Sequence, residues 1–177
     1  MMRNRVSLLA CSFTLPTEFH PMVQPHHPSL PWPALHLLEQ RQMPASCEAI
    51  ADILAWLEAV AEQQQWAMKQ VFALSLSADE ALTNIATHAM APAGGPLQIW
   101  LSLGLMDDGP ALCIADNGEA FDPTAKASAA LVDSLDEAEA GGHGLRLMRH
   151  YLQRFEYQRV DGWNCLLMGV TDRSSAG

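Results

Sequence analysis

Basic residues are scarce in this sequence. Ten Lys and Arg stand against twenty Asp and Glu over 177 residues, a formal net charge of −10. A nucleic-acid surface needs a concentrated positive patch, so nucleic acid is excluded as a partner and the acidic balance reads as a solubilising surface. Cysteine is scattered: Cys11, Cys47, Cys113 and Cys165 form no CxxC pair, which excludes a zinc site and a disulfide framework. Cys113 and Cys165 fall in apolar runs, where a thiol is core material, and a reduced cytoplasm is the compartment expected. No apolar run approaches the roughly 20 residues of a membrane span, and no membrane association is expected. The stretch 6–11 behind Arg3 and Arg5 is shorter than the roughly 7–15-residue core of a secretory signal, so it reads as a tail.

What is present is an apolar fraction of 49% with 17% charged residues, enough for one globular domain and too little chain for two. Residues 12–33 carry six prolines and His20, His26 and His27. Proline at that density removes backbone donors and forbids helix, and the histidines lack Cys or carboxylate partners at metal-binding spacing. The expected division is an extended leader over 1–34, one domain over 35–171 and a short tail over 172–177.

Within that domain the pattern predicts a strand over 35–40 and a helix from Ser46, a candidate N-cap, to about Gln64. Ile50, Ile53, Leu54, Leu57 and Val60 are its buried face. A second helix over 69–89 carries Val71, Leu74, Ala78, Leu82 and Ile85 on its apolar side. Strands follow over 97–105 and 111–115, broken at Asp107-Asp108-Gly109-Pro110. Residues 124–141 read as a mobile flap, 144–154 as a third helix, and 156–160 and 163–171 as strands joined at Asp161-Gly162. Runs of helices and hairpins, rather than alternating units, indicate an α+β two-layer sandwich, with a mixed sheet and helices on one face.

Three clusters carry chemistry. Glu80, Asn84 and His88 recur every four residues, which stacks them on one helix face. The plain alternative is a solvated polar stripe, but a carboxamide one turn from a carboxylate also suits a magnesium ion and an activated hydroxyl. Asp116-Asn117-Gly118-Glu119-Ala120-Phe121-Asp122-Pro123 follows a buried strand. There a carboxylate can accept from an exocyclic amine, and glycine lets the chain approach a ring. The plain alternative is an Asx turn. Gly141-Gly142-His143-Gly144-Leu145 opens a helix, a natural phosphate seat or simply a hinge. It is neither a Walker A motif nor a Rossmann fingerprint.

In this order the clusters resemble the N, G1 and G2 boxes of the ATPase superfamily that includes histidine kinases, gyrase B, Hsp90 and MutL. More narrowly, they resemble the anti-sigma-factor serine/threonine kinases of bacterial partner-switching systems, as does the closing segment Tyr157-Gln158-Arg159 with Asp161-Gly162-Trp163-Asn164. The likeness spans about residues 35–171 and implies the fold of that superfamily, with ATP and Mg2+ bound. By resemblance, Asn84 is the metal ligand, Asp116 binds the adenine amine and Gly118 gives the ring room. His88, Phe121, His143 and Leu145 belong to the nucleotide site, Gly142 and Gly144 let the loop wrap the phosphates, and Glu80 is the general base. Met90 departs from an aromatic common after the His-Ala pair, and Trp163 from a common glycine; neither touches the chemistry.

The acceptor-His helix of a sensor kinase is not expected, since only about residues 35–64 are available for it and His36 lacks a following acidic residue; nor is the lysine-bearing transducer domain of gyrase or MutL. The reading is therefore a cytoplasmic serine/threonine kinase acting as an anti-sigma factor. The resemblance implies as partners a small STAS-like antagonist, a sigma factor or other regulator, and a second copy in a homodimer. The alternatives are a nucleotide-dependent module that sequesters a regulator without phosphorylating anything, and an interaction protein that binds no nucleotide.

Overall fold

The computed structural model describes residues 28–93, 95–125 and 148–171. Strand β1 (His36–Pro44) leads through a 3-10 turn (Cys47–Ala49) into helix α1 (Ile50–Gln63) and then helix α2 (Met68–His88). Strands β2 (Gln98–Met106), β3 (Gly109–Asp116), β4 (Arg154–Val160) and β5 (Trp163–Gly169) complete it, with residues 148–151 helical before β4. The strand order is β1-β2-β3-β5-β4.

The α+β two-layer architecture is as expected, but the sheet is not mixed: every pairing among the described strands is antiparallel. Two connections explain this. The α1–α2 hairpin returns the chain to the end of the sheet that β1 left, so β2 runs back beside β1. β3 and β4 do run the same way, but β5 lies between them and turns that relation into two antiparallel pairings. The β4–β5 turn is Asp161-Gly162 with φ of 50° and 85°, the pair of positive values that a type I′ hairpin requires.

Strand alternation sends Ile99, Leu101, Leu103, Leu112, Ile114, Leu166 and Met168 to the helix side, where they pack with both helices. In α1 the buried face is Ile50, Ile53, Trp56, Leu57, Val60 and Ala61. Leu54 is only partly buried, and Trp56 takes the interior position with its indole N–H donating to Glu39 Oε2 at 2.7 Å. Ser46 does not cap α1. Its side chain makes no cap bond, the first turn is 3-10, and the α-helix proper begins at Ile50. In α2 the buried face is Gln70, Ala73, Leu74, Ser77, Ala78, Ala81 and Leu82, with Val71 and Ile85 at its margin. Gln70 caps the helix start, its Oε1 accepting from Ala67 N at 2.9 Å.

The opposite sheet face is covered too. Ala111, Cys113, Ala115, Cys165 and Leu167 pack under Trp32 and Leu35, and the Trp32 indole N–H donates to Glu156 Oε2 at 2.9 Å. Packing therefore reaches into the segment read as leader. The two thiols are core, as expected. Their mutual hydrogen bond, together with burial, holds the Cys113 thiol well above its usual range.

Helix α1 ends in a Schellman motif: Trp66 N donates to Ala61 O at 3.0 Å and Gln65 N to Glu62 O at 3.1 Å. Gln65 occupies the left-handed position with φ 56°, where a side chain costs roughly 1 kcal/mol. Gln65→Gly is expected to raise stability by roughly 0.5–1 kcal/mol and the melting temperature by roughly 1–4 °C. A lower melting temperature in a thermal scan would contradict this.

Candidate active site

Strand parity decides what meets at one end of the sheet. Asp116 shares its parity with Leu112 and Ile114, and so projects to the helix side. It pairs directly with Asn164 of β5, which pairs directly with Arg159 of β4. The three form one row across three strands. Asp116 and Asn164 are both buried, at 6% and 5% exposure.

Asp116 Oδ1 accepts from Gly118 N and from Asn164 Nδ2, each at 2.9 Å. Asn164 Nδ2 donates also to Glu119 O at 2.8 Å. Asn164 Oδ1 accepts from Tyr157 OH at 2.8 Å, Phe121 N at 3.3 Å and Arg159 Nη1 at 2.5 Å. The Arg159 guanidinium also donates to Gly118 O at 3.2 Å. Asn117 is not oriented toward this row. Its Oδ1 accepts from Gln98 N at 2.7 Å and its Nδ2 donates to Pro96 O at 3.2 Å, which ties the loop to the start of β2.

Burial pushes the Asp116 carboxyl up from its ordinary value, against the bonds from Asn164 and Gly118 and the charge of Arg159. Burial also pushes the Tyr157 phenol up, which keeps it a donor. Both hydrogen bonds made to Asp116 among the described residues fall on Oδ1. The second oxygen is left as an acceptor for an N–H group, the chemistry an exocyclic amine supplies.

On α2, Glu80 and Asn84 stand one turn apart and half-buried, with Asn84 Nδ2 donating to Glu80 Oε1 at 2.9 Å. That bond points the amide nitrogen at Glu80 and leaves the carboxamide oxygen as an acceptor. His88, the last residue of α2, is exposed and complements the helix's negative end. The chain leaving α2 touches the Asp116 loop, since Glu119 N donates to Met90 O at 3.2 Å. Phe121 is 51% exposed. Gly142, His143, Gly144 and Leu145 lie outside the described residues. Two cavities of about 220 and 350 Å³ lie at the opposite end of the sheet, against Val170 and Pro110, and neither is lined by Glu80, Asn84 or Asp116.

A carboxylate held at a sheet end beside a loop glycine, in a loop bonded to the exit of a helix that bears a Glu–Asn pair, is chemistry suited to a purine amine at the first and a metal-bridged phosphate chain at the second. Residues 43–170 match the family described as histidine kinase-like ATPase domain. The chain belongs to that family. Serine/threonine-protein kinase BtrW of Bordetella bronchiseptica is similar to it at 46% identity over 127 residues, covering 72% of this chain and 89% of that protein. An ATPase domain of this family binds ATP. Among the described residues no helix is long and apolar enough to cross a membrane.

Against this family's pattern, Gly118 acquires a definite reason. A Cβ built there would lie 2.8 Å from Asp116 Oδ1, 3.1 Å from Met90 O and 3.3 Å from Leu97 Cδ1. The space that glycine leaves is filled by the Asp116 carboxylate itself. Gly118→Ala is therefore expected to displace that carboxylate and weaken ATP binding by about tenfold or more, read by calorimetric titration. Unchanged affinity would mean that the loop does not fix Asp116. Sequence reasoning named neither Asn164, Arg159 nor Tyr157 as a site residue. The available signal was the Asp-Gly turn: in a two-residue hairpin it places Arg159 opposite Asn164, two positions out from the turn.

Proposed function

We propose that this domain is an ATP-dependent serine/threonine protein kinase acting as a regulatory anti-sigma factor, and that it phosphorylates a small STAS-like antagonist. The observation that carries the reading is the Glu80–Asn84 pair. A module that only binds nucleotide has no need of a half-buried carboxylate held at 2.9 Å from the amide proposed to bind the metal. The name of the similar Bordetella protein supports the same activity.

Each residue has a role in the proposed reaction. Asp116 Oδ2 takes the adenine amine. Asn84 Oδ1, freed by the bond that its nitrogen makes to Glu80, is the proposed ligand for magnesium. The donor set suits that ion, which prefers oxygen ligands and retains several waters; bound there it would neutralise phosphate charge. Glu80 accepts the proton of the incoming Ser or Thr hydroxyl, the positioning role that phosphoryl transfer asks of a protein. The antagonist's new phosphate then faces a protein of net charge −10, and repulsion releases it. The freed kinase captures a sigma factor or other regulator. The setting proposed is the cytoplasm, with the domain as a homodimer and no nucleic acid or membrane partner.

The test is incubation of the purified protein with labelled ATP, magnesium and a STAS-like antagonist. Label on a Ser or Thr of the antagonist is the expected result. ATP and antagonist both bound without transfer would leave a sequestering module.

A further inference from the structure

We infer that Asn164 is a positioning residue for nucleotide recognition, acting on the base only through Asp116; this rests on the reading of Asp116 as the adenine ligand. A carboxamide offers two donors and two lone pairs. Both donors of Asn164 are used, on Asp116 Oδ1 and Glu119 O. Its oxygen receives three donors, from Tyr157, Arg159 and the Phe121 backbone. No hydrogen-bonding capacity is left for a base.

The direction of those bonds fixes which residue type fits. The Oδ1 side faces three donors and the Nδ2 side faces a carboxylate and a carbonyl, so the amide has one orientation. It must donate toward Asp116, and that takes Asp116 Oδ1 out of play and leaves Oδ2 as the acceptor for a ligand. Arg159 completes the frame by holding Gly118 O and Asn164 Oδ1 with the same guanidinium. An aspartate at 164 would satisfy the three donors but set two carboxylates against each other across the β3–β5 pair.

The experiment compares two nucleotides on four proteins: wild type, N164A, D116N and the double variant. ATP carries the 6-amine, and purine riboside triphosphate lacks it. Wild type binding ATP is the control; without it the nucleotide reading itself fails, independently of Asn164. N164A is expected to weaken ATP by about tenfold to a hundredfold while changing the affinity for purine riboside triphosphate by less than about threefold. In the D116N background the same substitution is expected to change nothing further. N164D, which keeps the shape, is expected to lose ATP at neutral pH as N164A does. Equal loss of both nucleotides by N164A, or additive losses in the double variant, would overturn the inference. The first would make Asn164 a general support of the fold and the second a direct base ligand.

Discussion

Asp116→Asn is expected to weaken ATP binding by about a hundredfold or more, while the nucleotide-free protein melts at least as high as the wild type. The binding loss follows from replacing an acceptor-only carboxylate by a group that presents an N–H to the adenine amine. The unchanged or higher melting temperature follows from burial. Asn is isosteric, so the bonds from Gly118 N and Asn164 Nδ2 to the retained oxygen survive. Burial raises the folded-state pKa of Asp116, so at neutral pH the charged carboxylate is less stable in the fold than in the unfolded chain. Its protonated form favours folding below the ordinary aspartate range, and that contribution is lost as pH rises through the raised folded value. The advantage of the Asn variant is therefore expected at pH 7 and absent below the ordinary range. Thermal scans at the two pH values, with calorimetry for ATP, check both halves. Tight ATP binding by the variant would remove Asp116 from base recognition. A markedly lower melting temperature at pH 7 would mean that the carboxylate supports the fold rather than burdening it, as function-bearing groups often do.

Glu80→Gln separates chemistry from binding. The glutamine oxygen can still accept from Asn84 Nδ2, so the carboxamide geometry and the affinity for ATP are expected to hold within a few-fold, while phosphoryl transfer to the antagonist falls by about 10²–10⁴-fold. The measurement is single-turnover transfer at saturating ATP, with antagonist binding followed separately. Transfer at the wild-type rate would take Glu80 out of the mechanism. Weakened ATP binding would instead show that the Glu80 charge acts in the ground state. Antagonist capture that survives the loss of transfer would show that recognition and phosphorylation are separable in one domain.

Much of this was legible in the chain, for local reasons. The four-residue spacing of Glu80 and Asn84 needs only a helix to become a hydrogen-bonded pair, and α2 is a long one. The strand ending at Asp116 and the Asp161-Gly162 hairpin carry their own turn chemistry. The cross-strand row was legible only in half. The Asp161-Gly162 turn sets Arg159 opposite Asn164, but Asp116 joins them only because β5 inserts between β3 and β4 with one register, and nothing local to Asp116 encodes that. The same non-locality hid the antiparallel pairing of the whole sheet and the burial of Trp32, whose hydrogen-bond partner Glu156 lies 124 residues away. In α1 the miss was one of rotation. Periodicity allowed Leu54 inside, but Trp56 had a carboxylate to meet at Glu39 and took the interior.

The loop 116–121 is already fastened on three sides before any ligand arrives, to β2 through Asn117, to the exit of α2 through Met90, and to the β4–β5 hairpin through Asn164 and Arg159. A base entering there does not have to freeze that backbone, so little of its interaction is spent on ordering the receptor. Association at the proposed purine end is then expected to behave as docking to a preset socket, with any slow isomerisation in the time course of binding arising away from these six residues.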